Sequence, residues 1–219
     1  MRKDHFIYLS VIIAVSLMSY VDAILQPGYL IRSIIKIFLF CGTVLADGLI
    51  YKHNILKDIR FNASALKRVV PLALGVYVLI ISAYFIFRNV FDFTHVKESL
   101  LSSAGVSKDN FVFVFLYVAL VNSFLEEFFF RGYAFLHLKN LVGPKKAYIF
   151  SSTVFALYHC AMMIGWFNII LYLLLIVSLF VSGLIFNFLN EHFDSIFASW
   201  LFHMFANLSI NTVGIILLF

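Results

Sequence analysis

Long apolar runs separated by short polar connections follow one another along almost the whole chain. These runs cover residues 6–25, 29–51, 69–88, 111–138, 146–165, 167–190 and 195–219. A helix needs about 20 mainly apolar residues to cross a bilayer, and each run approaches that length. The pattern therefore predicts an all-α, polytopic transmembrane helix bundle with about seven spans. Asn207, Asn211 and Gly214 could interrupt the last run, so we expect six to eight.

The connections between the runs are too short to form a separate soluble unit. Pro27-Gly28 and Gly143-Pro144 are typical of turns between helices. Hydrophobic residues make up 63% of the chain and charged residues 12%, compared with roughly 45–50% and 25% in soluble domains. We therefore interpret residues 1–219 as a single integral membrane domain of a multi-pass protein in the cell membrane, surrounded by lipid.

The net charge of +5 comes from basic residues beside the apolar runs. Short cytoplasmic loops of membrane proteins are enriched in Lys and Arg, and this bias sets their orientation. The pattern thus predicts a cytoplasmic N-terminus and no nucleic-acid partner. The segment from Arg88 to Asp109 has balanced charges, which places it on the opposite side, where it could include an interfacial helix. The basic residues assigned to the cytoplasm are Arg2, Lys3, Lys52, Lys57, Arg60, Lys67, Arg68, Lys139, Lys145 and Lys146.

Several charged residues within the apolar runs have an explanation that needs no function. Asp22, Arg32 and Asp47 lie within a few residues of a predicted helix end. Lys36 lies deeper, but a lysine can extend its apolar stem along the helix and place its ammonium at the interface. These four residues are therefore expected to face the membrane surface.

Glu126, Glu127 and Arg131 have no such explanation, because they lie in the fourth run with apolar residues on both sides. Each buried charge costs at least ~2.5–3.5 kcal/mol on insertion scales, so such residues are functional candidates. Glu127 and Arg131 have i,i+4 spacing and can neutralise each other. Glu126 is then a carboxylate without its own cation, which suits a general acid or base. A structural ion pair beside a protonated glutamate would also fit these residues.

Two later runs add polar groups at a similar depth. Counted from the predicted cytoplasmic helix ends, Glu126, His159 and His203 lie roughly 20, 20 and 15 Å into the membrane. Asn207 follows His203 by four residues and shares its helix face. We expect these side chains to meet. Cys160 is adjacent to His159 and points about 100° away from it, which argues against a paired Cys–His nucleophile. Cys160 is expected to serve packing, and the Phe residues around Glu126 are expected to face lipid or to fill space between helices.

The order of these motifs resembles a known family. Glu-Glu-x-x-x-Arg at 126–131, Phe-x-x-x-His at 155–159 and His-x-x-x-Asn at 203–207 are similar to the CAAX protease and bacteriocin-processing family of intramembrane peptidases (CPBP or ABI family), related to the Ras-converting CAAX endopeptidase. The resemblance spans residues 126–207 and does not extend to residues 1–110. It implies an endopeptidase that acts on a hydrophobic or membrane-bound peptide, with a catalytic core at about 111–219.

The resemblance also implies roles for individual residues. Glu126 would activate the attacking water, and His159 would position or polarise that water. His203 and Asn207 look like the oxyanion-stabilising pair of the family, and Glu127 with Arg131 would support them.

The predicted site residues are compatible with a zinc site and with a site that holds no metal. Glu126, His159 and His203 are ligand types of a catalytic zinc site with an open position, and members of the family have been described as metalloproteases. The chain lacks an HExxH motif, however, and a glutamate-activated water requires the same residues without a metal. We favour a site without a metal.

Two other functional classes fit part of the pattern. A non-proteolytic membrane scaffold or a bacteriocin-immunity protein could use the same cavity for binding, although binding alone does not require a carboxylate, two histidines and an amide at one depth. A small transporter or proton relay could use buried Glu and His residues. It should show paired broken helices with internal symmetry, and the sequence shows no such repeat.

Overall fold

The computed structural model describes residues 1–52, 61–93 and 110–218, together with the single residues 96 and 98. Seven long helices occupy these ranges, and no strand occurs in them, so the predicted all-α bundle is confirmed. The helices are α1 (Lys3–Leu25, ending in a π-helical turn), α2 (Tyr29–Tyr51), α3 (Ala63–Phe87), α4 (Phe111–Val142), α5 (Pro144–Met162), α6 (Ile169–Phe193) and α7 (Ile196–Leu218).

Six of the seven helices are long and apolar enough to cross a membrane. The exception is α5, which has 19 residues and carries Lys145 and Lys146 in its first turn. This helix packs against α1, α4 and α6, so its neighbours cover much of its surface. The less apolar helix thus lies in the interior of a polytopic bundle.

Several helix boundaries differ from those predicted. α3 begins at Ala63, six residues earlier than expected, because the Asn62 side chain accepts hydrogen bonds from the amides of Ser64 and Ala65 and caps the helix. Lys67 and Arg68 consequently lie inside α3. Lys145 and Lys146 similarly lie inside α5, since only Gly143, with φ of +86°, separates α4 from α5.

The last apolar run forms one uninterrupted helix from Ile196 to Leu218, although it contains Asn207, Asn211 and Gly214. The turn predicted at Pro27-Gly28 is present between α1 and α2. Lys57 and Arg60 lie outside the described residues, as does most of the segment in which an interfacial helix was expected.

Two stretches of α4 have π-helical geometry, Tyr117–Asn122 and Glu127–His137. Wider turns of this kind are frequent at functional sites. Because lipid offers no hydrogen bonds, backbone groups in a membrane must find partners within the protein. Side chains of α7 supply such partners to carbonyl groups of α4. These bonds run from Trp200 to Leu120 (3.1 Å), from Asn207 to Val118 (3.2 Å) and from Asn211 to Phe115 (3.3 Å).

Aromatic side chains fill the space between α2, α4 and α5. The ring of Phe40 stacks on Phe129 at a centroid distance of 4.1 Å and meets Phe130 and Tyr158 edge-on. Phe129 and Phe130 are fully buried, and Cys160 is also buried. The packing role predicted for these side chains is confirmed. The stacked rings fix how α2 lies against α4.

Gly183 of α6 lies where α6 approaches α5 closely, because a Cβ atom there would come within 2.9 Å of the Ser152 Cα atom. We expect Gly183→Ala to force the helices apart and to reduce the free energy of unfolding by about 1–3 kcal/mol. Thermal unfolding of the purified protein in detergent measures this change. Gly42→Ala is the matched control, since its Cβ would meet no atom within 4 Å. Equal stability of the two variants would contradict the close contact.

Candidate active site

Helices α4, α5 and α7 bring Glu126, His159 and His203 together inside the bundle. His159 Nε2 lies 3.4 Å and His203 Nε2 lies 3.7 Å from the same atom, Glu126 Oε2. Glu126 and His203 are buried, with 2% and 4% of their surface exposed, whereas His159 lies in the last turn of α5 and is partly exposed. Residues far apart in sequence thus form one compact polar cluster.

Hydrogen bonds at Nδ1 fix the direction of both histidine rings. His159 Nδ1 lies 2.9 Å from the carbonyl oxygen of Phe155, and His203 Nδ1 lies 2.9 Å from Glu127 Oε1. A carbonyl and an ionised carboxylate only accept, so each Nδ1 atom donates. In a neutral ring Nε2 then carries the lone pair. Two basic nitrogens therefore face the Glu126 carboxylate.

Glu127 and Arg131 form the expected i,i+4 ion pair, with Arg131 Nη1 3.4 Å from Glu127 Oε1 and both side chains fully buried. The guanidinium group lies against two aromatic rings, 4.1 Å from the centre of Phe155 and 4.6 Å from that of Phe186. Such cation–π contacts stabilise a desolvated charge. Glu127 has a second contact that the sequence did not indicate, since it also orients His203.

Lys36 does not extend to the membrane surface, and Glu126 is not without a cation. Both expectations were wrong. Lys36 Nζ lies 3.1 Å from Glu126 Oε1, and the lysine is 7% exposed. The prediction assumed that the Lys36 side chain would extend along its own helix to the interface, and it left out partners on other helices. The packing of α2 against α4 instead offers the ammonium group a buried carboxylate at its own depth.

Asn122 is a further member of the cluster and was not among the predicted site residues. Its side-chain oxygen accepts from Lys36 Nζ at 2.6 Å, and its Nδ2 donates to Glu126 Oε1 at 2.9 Å. Its contact with Glu126 could have been predicted, because Asn122 and Glu126 have i,i+4 spacing on α4. Glu126 Oε1 thus receives two hydrogen bonds, whereas Oε2 has no hydrogen-bond partner in the described chain.

Asn207 shares the helix face of His203, as the spacing predicted, but its Nδ2 donates to the Val118 carbonyl at 3.2 Å. In the described part of the chain it makes no hydrogen bond to Glu126, His159 or His203. Direct contacts therefore join the other predicted site residues, whereas Asn207 lies one turn after His203 and its amide is bonded to α4.

Two other acidic residues that were assigned to helix ends are buried and lie near basic side chains of other helices. Asp22 lies 3.5 Å from Arg32 Nε, and Asp47 lies 3.4 Å from His137 Nε2. Both pairs connect neighbouring helices of the bundle, and neither contacts Glu126 directly among the contacts described.

Glu126, His159 and His203 are the residues that would hold a zinc ion if the site bound one. The donor types of Glu126, His159 and His203 are those that zinc uses. Within the described ranges, however, no three His, Cys, Asp or Glu side chains form a group that could hold a metal ion. Lys36 and Arg131 already balance the two carboxylates, so a divalent ion would add uncompensated charge to a buried site.

The comparison with known proteins covers the same part of the chain. No curated protein and no solved structure matches the chain. Residues 108–209 match the family model described as type II CAAX prenyl endopeptidase Rce1-like. This range includes Glu126, His159 and His203 but not Lys36. Over residues 108–209 the chain is therefore similar to the CAAX protease family.

Proposed function

We propose that this protein is an intramembrane endopeptidase that hydrolyses a peptide bond with water activated by Glu126. The observation that carries the proposal is the position of Glu126 Oε2, which faces the Nε2 atoms of His159 and His203 at 3.4 and 3.7 Å. An acceptor oxygen beside two basic nitrogens is suited to holding water and removing its proton. The family match supports this class of reaction.

In the first step, water donates one hydrogen bond to Glu126 Oε2 and the other to His159 Nε2. Its proton moves to Oε2 while its oxygen bonds to the carbonyl carbon of the substrate. The electron pair of the carbonyl double bond moves onto its oxygen, which becomes an oxyanion. His159 can orient the water in this way because its Nδ1 hydrogen already binds the Phe155 carbonyl.

His203 and Asn207 would stabilise the oxyanion. For this role the His203 ring first takes up a proton at Nε2, and the Glu127 carboxylate, 2.9 Å from Nδ1 and shared with Arg131, stabilises the imidazolium that forms. Asn207 donates to Val118, but an amide group has a second hydrogen to offer. Donors fixed where charge develops are a large term in catalysis of this kind.

In the last step, Glu126 returns the proton to the nitrogen of the leaving group. The carbon–nitrogen bond breaks, the oxyanion reforms a carbonyl, and the products are a new carboxyl terminus and an amine. Glu126 is again a carboxylate, so the site is ready for another turnover.

The proposed partners are membrane lipid and a hydrophobic or membrane-bound peptide that reaches the site from the lipid. Large apolar side chains are exposed along the spans, among them Phe38, Leu49 and Val78. This surface suits the interior of a bilayer. We place the N-terminus in the cytoplasm of a cell membrane, from the distribution of Lys and Arg. The proposed catalytic core lies at about 111–219.

Replacement of the proposed base tests the mechanism. We expect Glu126→Gln to reduce kcat on a prenylated CAAX reporter peptide by roughly 1,000-fold, because the amide cannot accept the proton. The protein should remain folded by circular dichroism at the assay temperature. Cys160→Ser is the control and should keep full activity, since its sulfur belongs to none of the proposed steps. Unchanged turnover by Glu126→Gln would contradict the role assigned to this residue.

Cleavage in the presence of a chelator tests whether the reaction requires a metal. We expect the purified protein to cleave the reporter at its full rate in excess chelator, and elemental analysis to find less than one equivalent of zinc. Loss of activity in chelator that is restored by added zinc would instead show that Glu126, His159 and His203 hold a metal.

A further inference from the structure

The two oxygens of the Glu126 carboxylate have different surroundings. Oε1 receives hydrogen bonds from Lys36 Nζ at 3.1 Å and Asn122 Nδ2 at 2.9 Å. Oε2 faces His159 and His203 and has no hydrogen-bond partner among the described residues. One oxygen is thus held by donors, and the other is directed at the position where the proposed mechanism needs water.

Lys36 is itself held in place on several sides. Nζ donates to Asn122 Oδ1 at 2.6 Å as well as to Glu126, and it lies 5.0 Å from the centre of the Tyr158 ring. The other ionisable groups around Glu126 are the two histidines, the Glu127–Arg131 pair, and Asp22, which interacts electrostatically with both Lys36 and Glu126. Among the described residues, Lys36 is the lysine or arginine in direct contact with Glu126.

The packing of α2 sets this contact. Phe40 follows Lys36 by four residues and lies on the same face of α2. Its ring stacks on Phe129, which follows Glu126 by three residues on α4. The same docking that buries the two rings places the Lys36 ammonium against the Glu126 carboxylate. The contact between Lys36 and Glu126 therefore depends on how α2 is aligned along α4.

We propose that Lys36, which lies outside the matched family domain, is a positioning residue for the reaction: it fixes Glu126 Oε1 and balances the carboxylate charge, so that Oε2 is directed at water. This inference rests on the proposed function. It adds a residue of α2 to a site otherwise built from α4, α5 and α7. Asn122 assists by joining the ammonium and the carboxylate in one network.

Kinetics of substituted proteins test the inference. We expect Lys36→Met, which keeps the length but not the charge, to reduce kcat on the prenylated CAAX reporter by roughly 100-fold with KM changed less than about twofold. Lys36→Arg should recover at least a tenth of the wild-type kcat. Lys139→Met is the matched control, because Lys139 pairs with Glu191 away from the site, and it should keep the wild-type rate. Wild-type kcat in Lys36→Met would overturn the proposal.

A stability measurement tests the contact without any substrate. We expect Lys36→Met to lower Tm by several degrees in the wild-type background, since it leaves a buried carboxylate without its cation. In the Glu126→Gln background the same substitution should leave Tm unchanged or raise it. An equal fall in both backgrounds would overturn the proposed coupling between Lys36 and Glu126. If the cycle shows coupling but wild-type protein cleaves no peptide, the proposed function fails and the contact stands.

Discussion

Lys36 Nζ lies 3.1 Å from Glu126 Oε1, at a depth where neither charge could remain alone. An isolated charge within a membrane bundle is expensive and requires a partner. The cluster meets this requirement with two carboxylates and two cations, drawn from α2 and α4. Because one of the cations comes from α2, this helix must pack directly against α4. The stacking of Phe40 on Phe129 and the geometry of the proposed site depend on that docking.

The two adjacent glutamates have different partners and therefore different proposed roles. Glu127 is enclosed by Arg131 and by Nδ1 of His203, so its charge orients other groups. Both glutamates are contacted through Oε1, but Glu126 Oε2 faces the Nε2 atoms of His159 and His203. This division follows from helical geometry, since adjacent residues on a helix point about 100° apart. The Glu127 carboxylate faces Arg131 and His203, and the Glu126 carboxylate faces the position assigned to the reacting water.

The features that depend on a single helix were predictable from the sequence. Apolar runs predicted the seven helices, of which six are long and apolar enough to cross a membrane, and residue counting predicted that Glu126, His159 and His203 would meet. Contacts between helices could be predicted from the sequence less well. The surface position predicted for Lys36 was wrong because its partner belongs to another helix. Asn122 could have been found from its spacing to Glu126. The bond from Asn207 to Val118 depends on how α7 packs on α4, which apolar periodicity does not specify.

The most direct test of the account compares peptides released from membranes that contain the wild-type protein with those released by the Glu126→Gln variant, in water labelled with heavy oxygen. Mass spectrometry identifies each peptide and its label. The account predicts peptides that appear only with the wild type and carry one labelled oxygen in a new carboxyl terminus. The same labelled peptides, in equal amounts, from the Glu126→Gln membranes would contradict it.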